Sequence, residues 1–142
     1  MFLKGIWRPL LMGSLLIGVF LGSAPVFAQN AESLVQDRLA IQGVWTRVDA
    51  PYLLDFGYGE DGLLQAAYFN PQPIHVGKTE TAEDDSLLYV QVVLQDVNYQ
   101  GSTYTLVYDR TQDALFGTYL HGGTGNLYEV QFVRKIEDTP EK

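Results

Sequence analysis

From Gly43 onward the chain is cut into short runs rich in Val, Tyr, Phe and Thr, with turn residues about 8 to 12 positions apart. No gap between runs is long enough for a crossover helix. That property restricts the fold more than any other, because parallel strands need a crossover of about a dozen residues or more. Each run must therefore return antiparallel to the one before it. The runs are 43–49, 52–58, 63–70, 74–80, 87–97, 102–109, 114–121 and 126–135, which makes eight. The expected fold is all-β, an eight-stranded antiparallel up-and-down barrel over residues 43–136 that closes its first strand on its last and leaves no free edge. A two-sheet sandwich is the alternative arrangement of the same strands.

Alternation assigns the inside. Leu88, Val90, Val92 and Leu94 share one face of the fifth strand, Tyr104, Leu106 and Tyr108 one face of the sixth, and Tyr128, Val130, Phe132 and Arg134 one face of the last. Tyrosines thus line part of the interior, and each buried hydroxyl needs a partner. With strands running alternately up and down, Gly43-Val44-Trp45 and Arg134 fall at the same rim, next to each other across the closure. A guanidinium there can lie over the indole face and seal that end.

Ahead of the strands, Met1 to Ala28 has the parts of a secretory signal. Lys4 and Arg8 are followed by an apolar run from Leu10 to Gly22 and by small residues up to Ala28. The run is 13 residues, too short to span a bilayer. A periplasmic or secreted protein with no stable membrane anchor after processing is expected. Residues 29–42 read as a short helix or an arm, with Leu34, Val35, Leu39 and Ile41 as its apolar face. Residues 137–142 read as a polar tail.

All 17 Asp and Glu follow residue 28 whereas Lys4 and Arg8 precede it, so 7 basic residues face 17 acidic ones and the exported part carries a formal charge of −10. That disfavours nucleic acid as a partner. The chain has 0 Cys, which excludes disulfides, thiolate metal sites and a cysteine nucleophile.

The Gly43-Val44-Trp45 start, with Arg134 at the end of the last strand, resembles the closed end of the calycin barrels, the lipocalins and avidins. The stretch from Ile41-Gln42-Gly43-Val44-Trp45 through Glu60-Asp61-Gly62 to Tyr68 is most similar to the first three avidin strands. The resemblance implies a barrel with one closed and one open end. Carried over by position, it does not bring a biotin pocket: Arg47 stands where that family has Asn and Pro51 where it has Ser, although Tyr68 matches the pocket Tyr. Trp45 is also the only Trp after residue 28, so the family's Trp walls are missing. Periplasmic protease inhibitors with a Gly-x-Trp start and a protruding arm offer a second resemblance, although their usual disulfide cannot form here. It implies a protein partner.

Strand direction gathers Asp49, Tyr52, Tyr68, Asn70, Asp96, Asn98, Ser102, Tyr104, Tyr119, His121 and Tyr128 at the open rim. Inward parity selects Tyr52, Tyr68, Tyr104, Tyr119 and Tyr128 as the ligand-binding candidates, while Gly43, Trp45 and Arg134 form the structural closed end. No inward Lys or Arg is expected at the open rim, which favours a neutral or cationic ligand. No catalytic set is found. His121 beside Asp96 lacks a nucleophile, and Ser102-Thr103 sits in an ordinary turn. His75 and His121 fall on opposite faces, so no metal site is expected. Glu80, Glu83, Asp84 and Asp85 read as a solvated loop, and Gly122-Gly123-Thr124-Gly125 as a hairpin turn with no phosphate-loop Lys. No cofactor is implied. The sequence therefore points to an exported, non-enzymatic binding barrel for a small molecule or peptide, with a protein-partner module as the alternative.

The signal reading yields one direct expectation. N-terminal sequencing of the exported protein should start at Gln29 or within a few residues of it; an intact Met1 recovered from a membrane fraction contradicts it.

Overall fold

The computed structural model describes residues 25–137. Most of the expected signal segment, and the tail beyond Glu137, lie outside those residues. One helix, α1 (Val26–Ala40), precedes nine strands: β1 (Gly43–Arg47), β2 (Leu53–Tyr58), β3 (Leu64–Asn70), β4 (Gln72–Ile74), β5 (Val76–Asp84), β6 (Leu87–Leu94), β7 (Thr103–Asp109), β8 (Ala114–Leu120) and β9 (Leu127–Arg134). Among the described residues, no helix is long and apolar enough to cross a membrane. All pairings are antiparallel, in the order β4-β3-β2-β1-β9-β8-β7-β6-β5. The first and last strands meet, Trp45 opposite Arg134 and Arg47 opposite Phe132. The result is a nearly closed barrel, compatible with a calycin-like architecture.

Period-two burial builds its interior. Leu88, Val90, Val92 and Leu94 of β6, Tyr104, Leu106 and Tyr108 of β7, and Val130 and Phe132 of β9 are all buried, together with Leu54 and Phe56 of β2. Gly117 of β8 is required by close approach, since a Cβ there would meet the Thr105 carbonyl oxygen at 1.9 Å.

The fourth expected strand is where the structure departs from eight. Asn70-Pro71-Gln72-Pro73 turns more tightly than expected, so Gln72–Ile74 folds straight back on the end of β3, with Asn70 opposite Gln72 and Tyr68 opposite Ile74. Two prolines that cannot donate hydrogen bonds confine this stub to an edge. His75 then carries the chain across to β6: its N–H donates to Asp96 Oδ2 (2.9 Å) and its carbonyl accepts from the Gln95 N–H (2.9 Å). A register shift between Val76 and Lys78 starts β5. No ladder joins β3 to β5, so a seam replaces the expected edgeless closure. At its other end β5 runs on to Asp84 and turns through Asp85 and Ser86, both with positive φ (47° and 64°), the backbone of a two-residue hairpin turn. Glu80, Glu83 and Asp84 accordingly stand on a strand rather than in the loop expected for them.

Residues 26–40 form a helix, but not one docked by the expected apolar face. Val35 and Leu39 are 54% and 57% exposed, while Asp37 is buried. Polar bonds fix α1 to the barrel instead: Arg110 Nη2 donates to Asp37 Oδ2 (2.7 Å), Arg38 pairs with Glu83, and the Tyr58 hydroxyl donates to the Arg38 carbonyl (2.9 Å). Ile41, just past the helix, enters the core.

At this end the Arg134 guanidinium lies 4.3 Å from the Trp45 ring centroid. It donates twice to Asp113 (2.8 Å each), to the Ala40 carbonyl (2.6 Å) and to the Gln42 carbonyl (2.9 Å). Trp45 Nε1 donates to the Ile41 carbonyl (2.8 Å). Gly43 has φ +113°, and a Cβ on it would sit 3.3 Å from Arg134 Nη1, so both backbone conformation and space call for glycine there.

Trp45 is fully buried among these groups. Trp45→Ala should therefore cost about 3–5 kcal/mol in urea unfolding, as a large-to-small core change. A loss below about 0.5 kcal/mol, typical of a surface position, contradicts the packing described.

Candidate functional site

The end opposite Trp45 is open. Alternation along β1 turns both Trp45 and Arg47 inward, Trp45 at the middle of this five-residue strand and Arg47 at the end nearer the opening. Tyr52 enters from the β1–β2 turn, Tyr68 from β3, Tyr119 from β8 and Tyr128 from β9, where Tyr119 pairs with both Tyr104 and Tyr128. These side chains surround a cavity of about 510 Å³ that is also lined by Asp49, Asn70, Asn98, Tyr99 and His121.

The rings form two groups around this space, joined beneath it through Tyr104. Tyr52 and Tyr99 meet Tyr68 edge-on at 6.3 and 6.5 Å between centroids, and Tyr128 stacks along Tyr119 at 6.4 Å with an interplanar angle of 26°. Tyr104 does not line the cavity as expected. It is fully buried beneath the mouth, 4.6 Å from the Tyr119 ring and 5.4 Å from Phe132, and it forms the floor. Its hydroxyl shares a hydrogen bond with the Tyr68 hydroxyl at 3.1 Å. Tyr128 is an outer-rim residue, 46% exposed.

The charge expected at this end is also corrected. With the first run drawn over 43–49, no inward Lys or Arg is expected at the open rim, but β1 ends at Arg47 and leaves its side chain at the mouth. Nε and Nη2 donate to Asp49 Oδ1 (2.6 Å) and Oδ2 (3.0 Å), and the guanidinium lies 5.6 Å from the Tyr52 ring centroid. These bonds hold the Asp49 carboxyl below the usual carboxylate range. The mouth therefore holds one cation and one anion in contact.

Further polar groups face the same space. Asn70 Nδ2 donates to the Tyr99 hydroxyl (2.6 Å). His121 Nδ1 accepts the Thr124 N–H (3.2 Å), and its ring stands edge-on to Tyr119 at 6.3 Å. Two of the residues expected at the rim go elsewhere. Asp96 accepts the N–H groups of His75 and Val97, so it does not orient His121, and Ser102 is buried with its hydroxyl accepting the Gly122 N–H (3.0 Å). His75 is exposed at the seam. Among the described residues no group of three or more His, Cys, Asp and Glu is placed to hold a metal.

Tyr99 was not foreseen as a lining residue, because it comes from the β6–β7 loop, where strand parity gives no guidance. The turn there, with Tyr99 N–H bonded to the Asp96 carbonyl (2.9 Å) and Asn98 at φ 70°, brings the ring back over Tyr68. Arg47, by contrast, was readable: it is two residues from Trp45, and parity alone turns it inward.

The chain matches no protein-family model, no curated protein and no solved structure.

Burial raises the pKa of Tyr68 and of Tyr104 above the tyrosine norm, and their mutual bond adds to the rise at Tyr68. In the unfolded chain both ionise near pH 10, roughly, while the folded protein keeps them neutral. The unfolded state then holds fewer protons than the folded one, so stability should fall as pH rises above that value. An alkaline titration should show tyrosinate absorbance from Tyr68 and Tyr104 appearing only with unfolding. Their smooth titration near pH 10 in a folded protein, by the tyrosine norm, contradicts this floor.

Proposed function

We propose that this chain is an exported, non-enzymatic binding protein of avidin-like or lipocalin-like type that takes a small molecule or peptide at the mouth bounded by Arg47, Tyr52, Tyr68, Tyr119 and Tyr128. The observation that carries the reading is the cavity of about 510 Å³ at one end of a barrel whose other end is sealed. Pockets that hold small molecules usually span roughly 300–1,000 Å³ and combine aromatic walls with a few placed polar groups. Both features are present. Biotin remains disfavoured, because Arg47 and Pro51 replace the expected polar clamp and no Trp besides Trp45 follows residue 28 to supply a wall. An enzymatic reading has the Thr124 hydroxyl 3.2 Å from His121 Nδ1 at the mouth, but among the described residues no carboxylate is bonded to His121 to orient it as a base.

A protein partner is the second reading, and one observation keeps it in play. Phe27, Ala31, Val35 and Leu39 recur every four residues on α1, and all are exposed. Processing after Ala28 would leave Val35 and Leu39 as the large members of that stripe. Against the inhibitor version of this reading, α1 is bound to the barrel through Asp37–Arg110 and Arg38–Glu83, whereas an inhibitory arm has to be free to enter a cleft.

Native mass spectrometry of the exported protein, gently extracted, separates the two. A retained small-molecule mass, lost in a Tyr52→Ala/Tyr128→Ala variant, is the expected result. Recovery only with a macromolecular partner, unaffected by those rim substitutions, moves the assignment to the second reading.

A further inference from the structure

The balance of groups at the mouth restricts what it takes. Arg47 and Asp49 neutralise each other across bonds of 2.6 and 3.0 Å, so an anionic ligand meets the Asp49 carboxylate and a cationic one the Arg47 guanidinium. Either leaves one charge poorly paired on binding, which is costly once water is excluded. An apolar ligand has the opposite fault. It strips water from Asp49, Asn70, Asn98 and the tyrosine hydroxyls without replacing the hydrogen bonds, and unmatched polar groups discriminate strongly against such ligands.

What fits is a ligand with polar edges that both donate and accept, and with flat C–H faces. The Arg47–Asp49 pair sets donors and an acceptor side by side, which matches two neighbouring hydroxyls, since each hydroxyl can donate one bond and accept others. Asn70 does the same: one amide hydrogen is held by Tyr99 at 2.6 Å, leaving its carbonyl oxygen to accept and the Tyr99 hydroxyl proton to be donated. The hydroxyls of Tyr52 and Tyr119 have no hydrogen-bond partner among the described residues, and the rings of Tyr52 and of Tyr128, which is 46% exposed at the rim, offer faces for C–H groups. From this set we infer that the mouth binds a neutral, polyhydroxylated ligand, a saccharide, held at its hydroxyls by Arg47, Asp49, Asn70 and Asn98 and on its C–H face by Tyr52 and Tyr128. The inference rests on the reading of the mouth as a binding site.

The test is an NMR titration of the exported protein with four classes of probe: cellobiose and diacetylchitobiose as neutral sugars, galacturonic acid as an anion, glucosamine as a cation, and naphthol as a planar apolar ring. The neutral disaccharides should shift Asn70, Tyr52 and Tyr128 resonances saturably and bind at least about tenfold tighter than either charged sugar, the size of one well-made hydrogen bond to a charged group. Asp49→Asn should weaken them about tenfold while circular dichroism stays unchanged. Tighter binding of galacturonic acid or glucosamine, or binding of naphthol alone, overturns the saccharide assignment and leaves the mouth a binding site. Silence of the mouth resonances towards every probe overturns both.

Discussion

The Arg134 guanidinium is the group on which the closed end depends. Five N–H donors in a rigid plane allow one side chain to serve several partners at once. Here they grip both oxygens of Asp113 in the β7–β8 turn and reach the carbonyls of Ala40 and Gln42, while the face of the plane covers Trp45. A helix leaves its last carbonyls without partners, and α1 ends where Arg134 supplies one. The same contact joins β9 to β1, because Trp45 and Arg134 stand opposite each other in the ladder. Helix, closure and turn therefore share a single side chain. The hydrogen bonds from Arg134 also hold the Asp113 carboxyl below its usual range, as expected of an ion pair partly shielded from water.

Sealing one end fixes the character of the other. The barrel interior from Trp45 to Phe132 is filled by side chains, with Tyr104 and Tyr68 as the uppermost layer. A small barrel filled to that depth has room for a ligand only above the layer. The cavity is consequently shallow and ringed by residues from strand ends and turns, which explains its mixture of tyrosine rings, amides and one ion pair. A deeper site would have been lined by Val and Leu. The seam between β3 and β5 is bridged by His75 and Asp96, and at the mouth the Asn70–Tyr99 hydrogen bond and the Tyr68–Tyr99 ring contact span it.

How far the sequence could be read depended on whether a residue's neighbours were set by periodicity or by long-range contacts. Period two placed the interior of β6, β7 and β9 and joined Trp45 to Arg134, because strand parity and direction need only local information. Period two also sufficed to turn Arg47 inward; the error lay in ending β1 two residues late, which put the guanidinium at mid-strand. The split of 74–80 into β4 and β5 was beyond such reasoning, since His75 crosses to β6 through a carboxylate 21 residues away. Likewise, α1 is docked through buried Asp37 and Arg110, 73 residues apart, where amphipathicity suggested Val35 and Leu39. Tyr99 belongs to a loop, and loops carry no parity.

The central claim, that one guanidinium holds α1, Trp45 and the Asp113 turn together, is tested most directly by urea unfolding of Arg134→Lys followed through Trp45 fluorescence. Lysine keeps the charge but loses the fork, so the Ala40 and Gln42 carbonyls and one Asp113 oxygen cannot all be served. A loss of roughly 2–4 kcal/mol is predicted, the cost of leaving several such groups without their charged partner. A loss below about 0.5 kcal/mol, with the fluorescence of Trp45 unchanged, would mean that any positive charge serves and that the closed end is held by burial alone.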